Sequence, residues 1–118
     1  MQNRNLRITI NPDWQSMLRA ASRKARSAQY QGEVLNFEKP ELFLSRLTAL
    51  RWNIVKTLLG VGELPVRDVA RRVRRDVKRV HGDIEVLTEM GLLERTVTGG
   101  VVCPFDDIHI DLHLTRAA

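Results

Sequence analysis

At 118 residues, with 43% hydrophobic and 28% charged side chains, the chain has the composition of a soluble domain with one core and excludes wholesale disorder. It has no run near the ~18 apolar residues of a spanning helix, the start MQNRNLRITINP lacks the apolar stretch of a signal peptide, and the single Cys103 cannot form an internal disulfide. A cytoplasmic location with no membrane partner is expected. The net charge of +5 is concentrated, because residues 65–82 hold seven Arg or Lys against Asp68 and Asp76, while residues 83–118 carry seven acids against two arginines.

LRITI (6–10) alternates with period two and stops at Asn11-Pro12, which reads as a short strand. Pro12 suits a first helical turn, and Trp14, Met17, Leu18, Ala21 and Ala25 recur at three- and four-residue steps, predicting a helix. Its other face carries Arg19, Arg23, Lys24 and Arg26, as an ordinary solvated face does. QYQG then reads as a loop and GEVLNFEKP as a second strand broken by Pro40. This strand-helix-strand, residues 1–40, is an extension ahead of a domain over 41–118, expected to pair with the tail IHIDLHL or with its mate in a partner chain, and so a candidate dimerisation element.

ELFLSRL from Glu41 is helical, and Thr48 suits the N-cap of a second run, ALRWNIVKTLLG, ended by Gly60 and Gly62. Leu50, Ile54, Val55, Leu58 and Leu59 form its apolar stripe. Pro65 suits the first position of a short helix with Val66, Val69, Ala70 and Val73 on one face. After a turn at Arg74-Arg75, Asp76 caps a longer helix, 76–90, whose Val77, Val80, Ile84 and Leu87 share one stripe.

Small Ala70 lets these two helices cross closely, with Val80 filling the angle between them. That is the pattern of a helix-turn-helix, although the turn lacks the usual glycine. The second helix of such a pair enters the DNA major groove by its N-terminal residues, so Lys78, Arg79, His81 and Gly82 are the expected base contacts. Lys78 or Arg79 can donate to guanine, whereas Arg67, Arg71, Arg72, Arg74 and Arg75 are placed to neutralise phosphates. Gly82 costs the helix ~1 kcal/mol against alanine, which close approach to a partner's backbone would explain. The plain alternative is a salt-bridged solvated face, with Asp68 and Arg72 spaced to pair. Arg75 and Arg79, at the same spacing, repel, and a local excess of five positive charges favours an anionic partner.

LLERTVTGGVVCPF alternates around Gly99-Gly100, which predicts a hairpin, a wing with Arg95 at its base near the DNA minor groove or backbone. VRDVARRV, RRDVKRVHGDIEVL, EMGLLER and VVCPFDDIHIDL together resemble the prokaryotic winged helix-turn-helix transcriptional regulators, and more narrowly a group of small DNA-binding proteins, some antitoxin-like. The fold class implied is α+β, a winged helix-turn-helix with an N-terminal strand-helix-strand extension. The function implied is a sequence-specific double-stranded DNA-binding regulator, a repressor acting as a homodimer on a palindrome. An antitoxin that binds a toxin protein encoded beside it, and an RNA-binding or protein-interaction winged helix, are the alternatives.

In the tail, His109, Asp111 and His113 share one strand face, but alternate residues are ~6.6 Å apart and zinc ligands must converge within about 4 Å, so no metal is expected. Ile108, Ile110, Leu112 and Leu114 would cover the core or a partner chain. Cys103 beside Pro104 has no histidine to activate it, and no phosphate loop or paired carboxylates stand out, so neither an enzyme nor a cofactor is expected.

Overall fold

The computed structural model describes residues 4–10 and 32–114. They form a mixed α and β structure: β1 (Asn5–Ile10), β2 (Glu33–Phe37), α1 (Pro40–Arg46), α2 (Ala49–Leu58), α3 (Val66–Val73), α4 (Val77–Met90), β3 (Glu94–Arg95), β4 (Val101–Val102) and β5 (Asp107–Asp111). No helix among the described residues is long and apolar enough to cross a membrane. The helix expected after Pro12 lies outside the described residues. Where composition suggests one core, the chain divides into two compact units, one reaching Leu44 and resuming at Asp107, the other running Ser45–Asp106.

The first unit is built on a three-stranded sheet in the order β2-β1-β5, with both neighbours parallel to β1. Alternation along LRITI buries Leu6 and Ile8. Ile8 lies between Leu35 of β2 and Ile110 of β5 in register. Thr9, also buried, donates its hydroxyl hydrogen to Asn36 Oδ1 at 2.7 Å, so the polar atom is satisfied where the sheet covers it. Pro40 opens α1, and Phe43 in that helix packs its ring 5.0 Å from Phe37. Strand β5 thus groups with the N-terminal strands rather than with the rest of 41–118, which is the expected pairing of the extension with the IHIDLHL tail. Ile108 and Ile110 are half-buried, whereas Leu112 and Leu114 lie past the strand end and are exposed.

In the second unit Thr48 caps α2, its Oγ1 accepting from the Arg51 N–H at 3.3 Å. Ile54, Val55 and Leu58 are buried, but Leu50 and Leu59, expected in the same stripe, are exposed. At about 100° per residue the buried three span one narrow arc, and these two fall about 40° beyond its opposite edges. Pro65 is the cap of α3 rather than its first residue, its carbonyl accepting from the Asp68 and Val69 N–H groups. Val69 and Ala70 are buried on α3, as are Val80, Ile84, Leu87 and Met90 on α4, and the two helices are in contact.

Helices α3 and α4 end in the same way. After α4 the chain turns left-handed at Gly91 (φ 91°), whose N–H donates to Thr88 while the Leu92 N–H donates back to Leu87. After α3 it does the same at Arg74 (φ 58°), with the Arg74 N–H on Arg71 and the Arg75 N–H on Ala70. Glycine adopts this conformation freely, while an L side chain there costs about 1–2 kcal/mol. The glycine missing from the turn is therefore a substitution of arginine at a glycine-type position.

Leu92 and Leu93 are buried, and the hairpin that follows them pairs Glu94 with Val102 and Arg95 with Val101, antiparallel. Its turn closes through the Thr96 N–H on the Gly100 carbonyl and the Gly99 N–H on Thr96. The far side of β4 is taken by Leu64, whose N–H and C=O both bond Val101, at 3.0 and 2.9 Å. This third segment has no sequence signal, since a single bridging residue shows no alternation. Cys103 and Phe105 complete the core, and burial pushes the Cys103 thiol up from its ordinary range.

Candidate functional site

Between Arg74 and Gly82 several residues depart from what the fold alone prefers. Arg74 occupies a left-handed turn that favours glycine. Lys78 and Arg79 stand in the first turns of α4, at the positive end of its dipole, where cations are unfavourable by about 0.3–1 kcal/mol each. The helix has no acid in its first turn and no base in its last. Its exposed acids, Glu85 and Glu89, lie in the later turns, so α4 is charged against its own dipole. The Asp76 carboxylate, accepting from the Arg79 N–H at 3.2 Å, supplies the cap itself.

Gly82 is exposed, has no left-handed backbone, and a Cβ built on it would meet nothing within 4 Å. Neither packing nor backbone geometry calls for glycine there. Lys78, Gly82 and Glu85 share the face of α4 opposite Val80, Ile84 and Leu87, and Arg79 lies about 100° round from Lys78 on one flank. His81 Nδ1 sits 3.4 Å from Glu85 Oε1, a surface pair that leaves the ring exposed.

Arg67, Arg71, Arg72 and Arg74 are all exposed. Asp68 pairs with Arg71 at 3.3 Å, rather than with Arg72, across the exposed face of α3. Arg75 differs from this group. Its side chain is only 19% exposed, and its Nη1 donates to Asp83 Oδ2 at 2.8 Å. The Arg51 Nε donates to the other carboxylate oxygen at 3.0 Å, so one acid of α4 ties down both α2 and the turn before α4. The expectation that Arg75 faces phosphate is revised accordingly, because its charge is compensated inside the unit. Burial pushes the Asp83 carboxyl up, but hydrogen bonds and charge from Arg75 and Arg51 outweigh it and hold the group below its ordinary value.

Arg95 clamps its own hairpin, donating to the carbonyls of Gly100 at 3.1 Å and Gly99 at 2.9 Å. Carbonyls leave its charge uncompensated, so an exposed cation remains at the hairpin. Thr96 and Thr98 donate their hydroxyls to Glu63, whose carboxyl those bonds hold below its usual range, latching the hairpin tip to the segment before α3.

Asp83, Arg51 and Glu63 carry no motif and were not singled out by sequence. Their partners lie 8 to 35 residues away, beyond any local pattern. Val77 was placed in the apolar stripe of α4, yet it is 48% exposed while Val80, Ile84 and Leu87 are fully buried.

No curated protein and no solved structure matches the chain. A family model described as HVO_A0114 matches residues 46–110, a span that takes in α2, α3, α4 and the hairpin. That match covers more than half of its length, and the chain belongs to the HVO_A0114 family.

Proposed function

We propose that Ser45–Asp106 is a winged helix-turn-helix that binds double-stranded DNA as a transcriptional regulator, with the N-terminal turns of α4 in the major groove and the β3-β4 hairpin as the wing. The observation that carries this reading is the stretch from Arg74 to Gly82, where stability is given up at several positions in one direction. A left-handed arginine, cations at the positive end of a helix dipole and an unforced glycine each weaken the fold, and each makes the surface more cationic or more open. An anion that must be approached closely accounts for all of them. A solvated helical face would carry its charges the other way round.

In this reading Lys78 and His81 face base edges. Arg67, Arg71, Arg72, Arg74, Arg79 and Arg95 lie against phosphates. Glu85 and Glu89 limit the contact to the first turns of α4. With six phosphate-facing cations, the logarithm of the association constant should fall with the logarithm of salt concentration at a slope of about −5 per protomer. Fluorescence anisotropy of a labelled duplex across a salt series measures this slope, with duplex RNA of equal length as comparison. Binding that is flat in salt, or equal on RNA, would overturn the assignment.

Gly82→Ala separates fold from function within this reading. The free protein should gain about 1 kcal/mol in urea denaturation, since the methyl enters open space on a helix. Duplex affinity should fall about tenfold, because the same methyl meets the partner. A stabilised variant with unchanged affinity would show that nothing approaches the helix there.

A further inference from the structure

We infer that Val77 is a specificity residue that seats the 5-methyl group of a thymine in the major groove, an inference that rests on the DNA reading above. Val77 is the first residue of α4, directly after the Asp76 cap, and its side chain stands half exposed while the rest of its stripe is buried. A Cβ on a helix tilts toward the N-terminus, so Val77 points out of the end of α4 that enters the groove. Its neighbours in sequence are cationic, with Arg74 in the preceding turn and Lys78 and Arg79 following, all exposed. An apolar group framed by positive charge fits a partner that is anionic overall yet presents an apolar point.

The major groove of DNA offers that combination at thymine alone among the four common bases. RNA does not, since uracil lacks the methyl and the A-form major groove is too deep and narrow for side chains to read. Branching at Cβ holds the valine methyls near one rotamer, so little side-chain freedom is lost on contact. Lys78, the next residue, is placed to donate to a guanine beside that thymine.

The probe is a duplex chosen by the wild-type protein from a random pool, then remade with deoxyuridine in place of one thymine at a time, which removes one methyl and nothing else. At one position per half-site the wild type should bind the deoxyuridine duplex about fourfold more weakly, the value of one buried methyl. Val77→Ala should bind the thymine duplex about fourfold more weakly and be indifferent to the replacement. Val77→Thr, of the same shape, keeps part of the discrimination, and matching melting curves show that both variants fold. Selection of a duplex without any effect of deoxyuridine, or full discrimination kept by Val77→Ala, would overturn the role of Val77 alone. A wild-type protein that selects no duplex would overturn the DNA reading itself.

Discussion

Replacing Asp83 with alanine is expected to lower the unfolding free energy by about 2–3 kcal/mol. The Asp83 side chain is 15% exposed, and the two guanidiniums it holds, Arg75 and Arg51, are 19% and 22% exposed. Without the carboxylate, two cations are left side by side with little water to screen them. Breaking a fully buried pair costs about 3–5 kcal/mol, and the residual exposure here reduces that figure. Urea denaturation at neutral pH measures the loss, and Asp83→Asn keeps size while removing charge. A variant within about 0.5 kcal/mol of wild type would show that the cluster contributes no stability.

The same cluster sets a pH dependence. Asp83 has its pKa lowered in the folded state, so the stabilisation it brings is fully present above the ordinary aspartate value and is lost as pH falls through the depressed folded value. Stability of the wild type should therefore decline on the acid side of the carboxylate range, and Asp83→Asn should lack that part of the decline. Glu63, also lowered, adds a term of the same sign, its loss showing first as loosening of the hairpin tip that Thr96 and Thr98 latch.

What the sequence made legible was whatever is encoded within a few residues. Thr48 and Asp76 act as caps and the chain reverses between Thr96 and Gly100, because a cap or turn depends on its immediate neighbours. Burial was less legible. Leu50, Leu59 and Val77 are apolar and correctly spaced, but how wide a stripe the neighbouring elements cover is a tertiary quantity, and these three lie at its edges or ends. Long-range pairing was legible only as an open choice. Alternation marks LRITI and IHIDLHL as strands that can pair with each other or with a second copy, without saying which or that the pairing is parallel, and Asp83 reveals itself as a junction only when Arg51 and Arg75 are brought to it. At the candidate site, sequence located the cationic stretch by charge, whereas separating outward from inward cations required the fold, since Arg74 and Arg75 are adjacent and serve opposite surfaces.

Geometry also divides Lys78 from Arg79, which by sequence were equal candidates for base contact, and it does so in a way that can be measured. Lys78 shares the outward face of α4 with Gly82, while Arg79 lies about 100° round, on the flank nearer Asp83. Past the helix end itself, where Val77 stands, a side chain at the centre of the inserted face meets base edges, and one on the flank meets the sugar-phosphate wall. Lys78→Ala is therefore expected to weaken binding to a selected duplex about 10- to 100-fold and to relax preference at one or two base pairs. Arg79→Ala should lower affinity on all sequences alike and reduce the salt slope by about 1. Neither change should destabilise the free protein, because each removes an exposed cation from the unfavourable end of the helix dipole, a gain of about 0.3–1 kcal/mol. Competition anisotropy with the selected duplex and scrambled duplexes distinguishes the two effects. If both variants keep wild-type affinity and preference, α4 is not the element that enters the groove; if their effects are exchanged, α4 is seated with its Arg79 flank toward the bases.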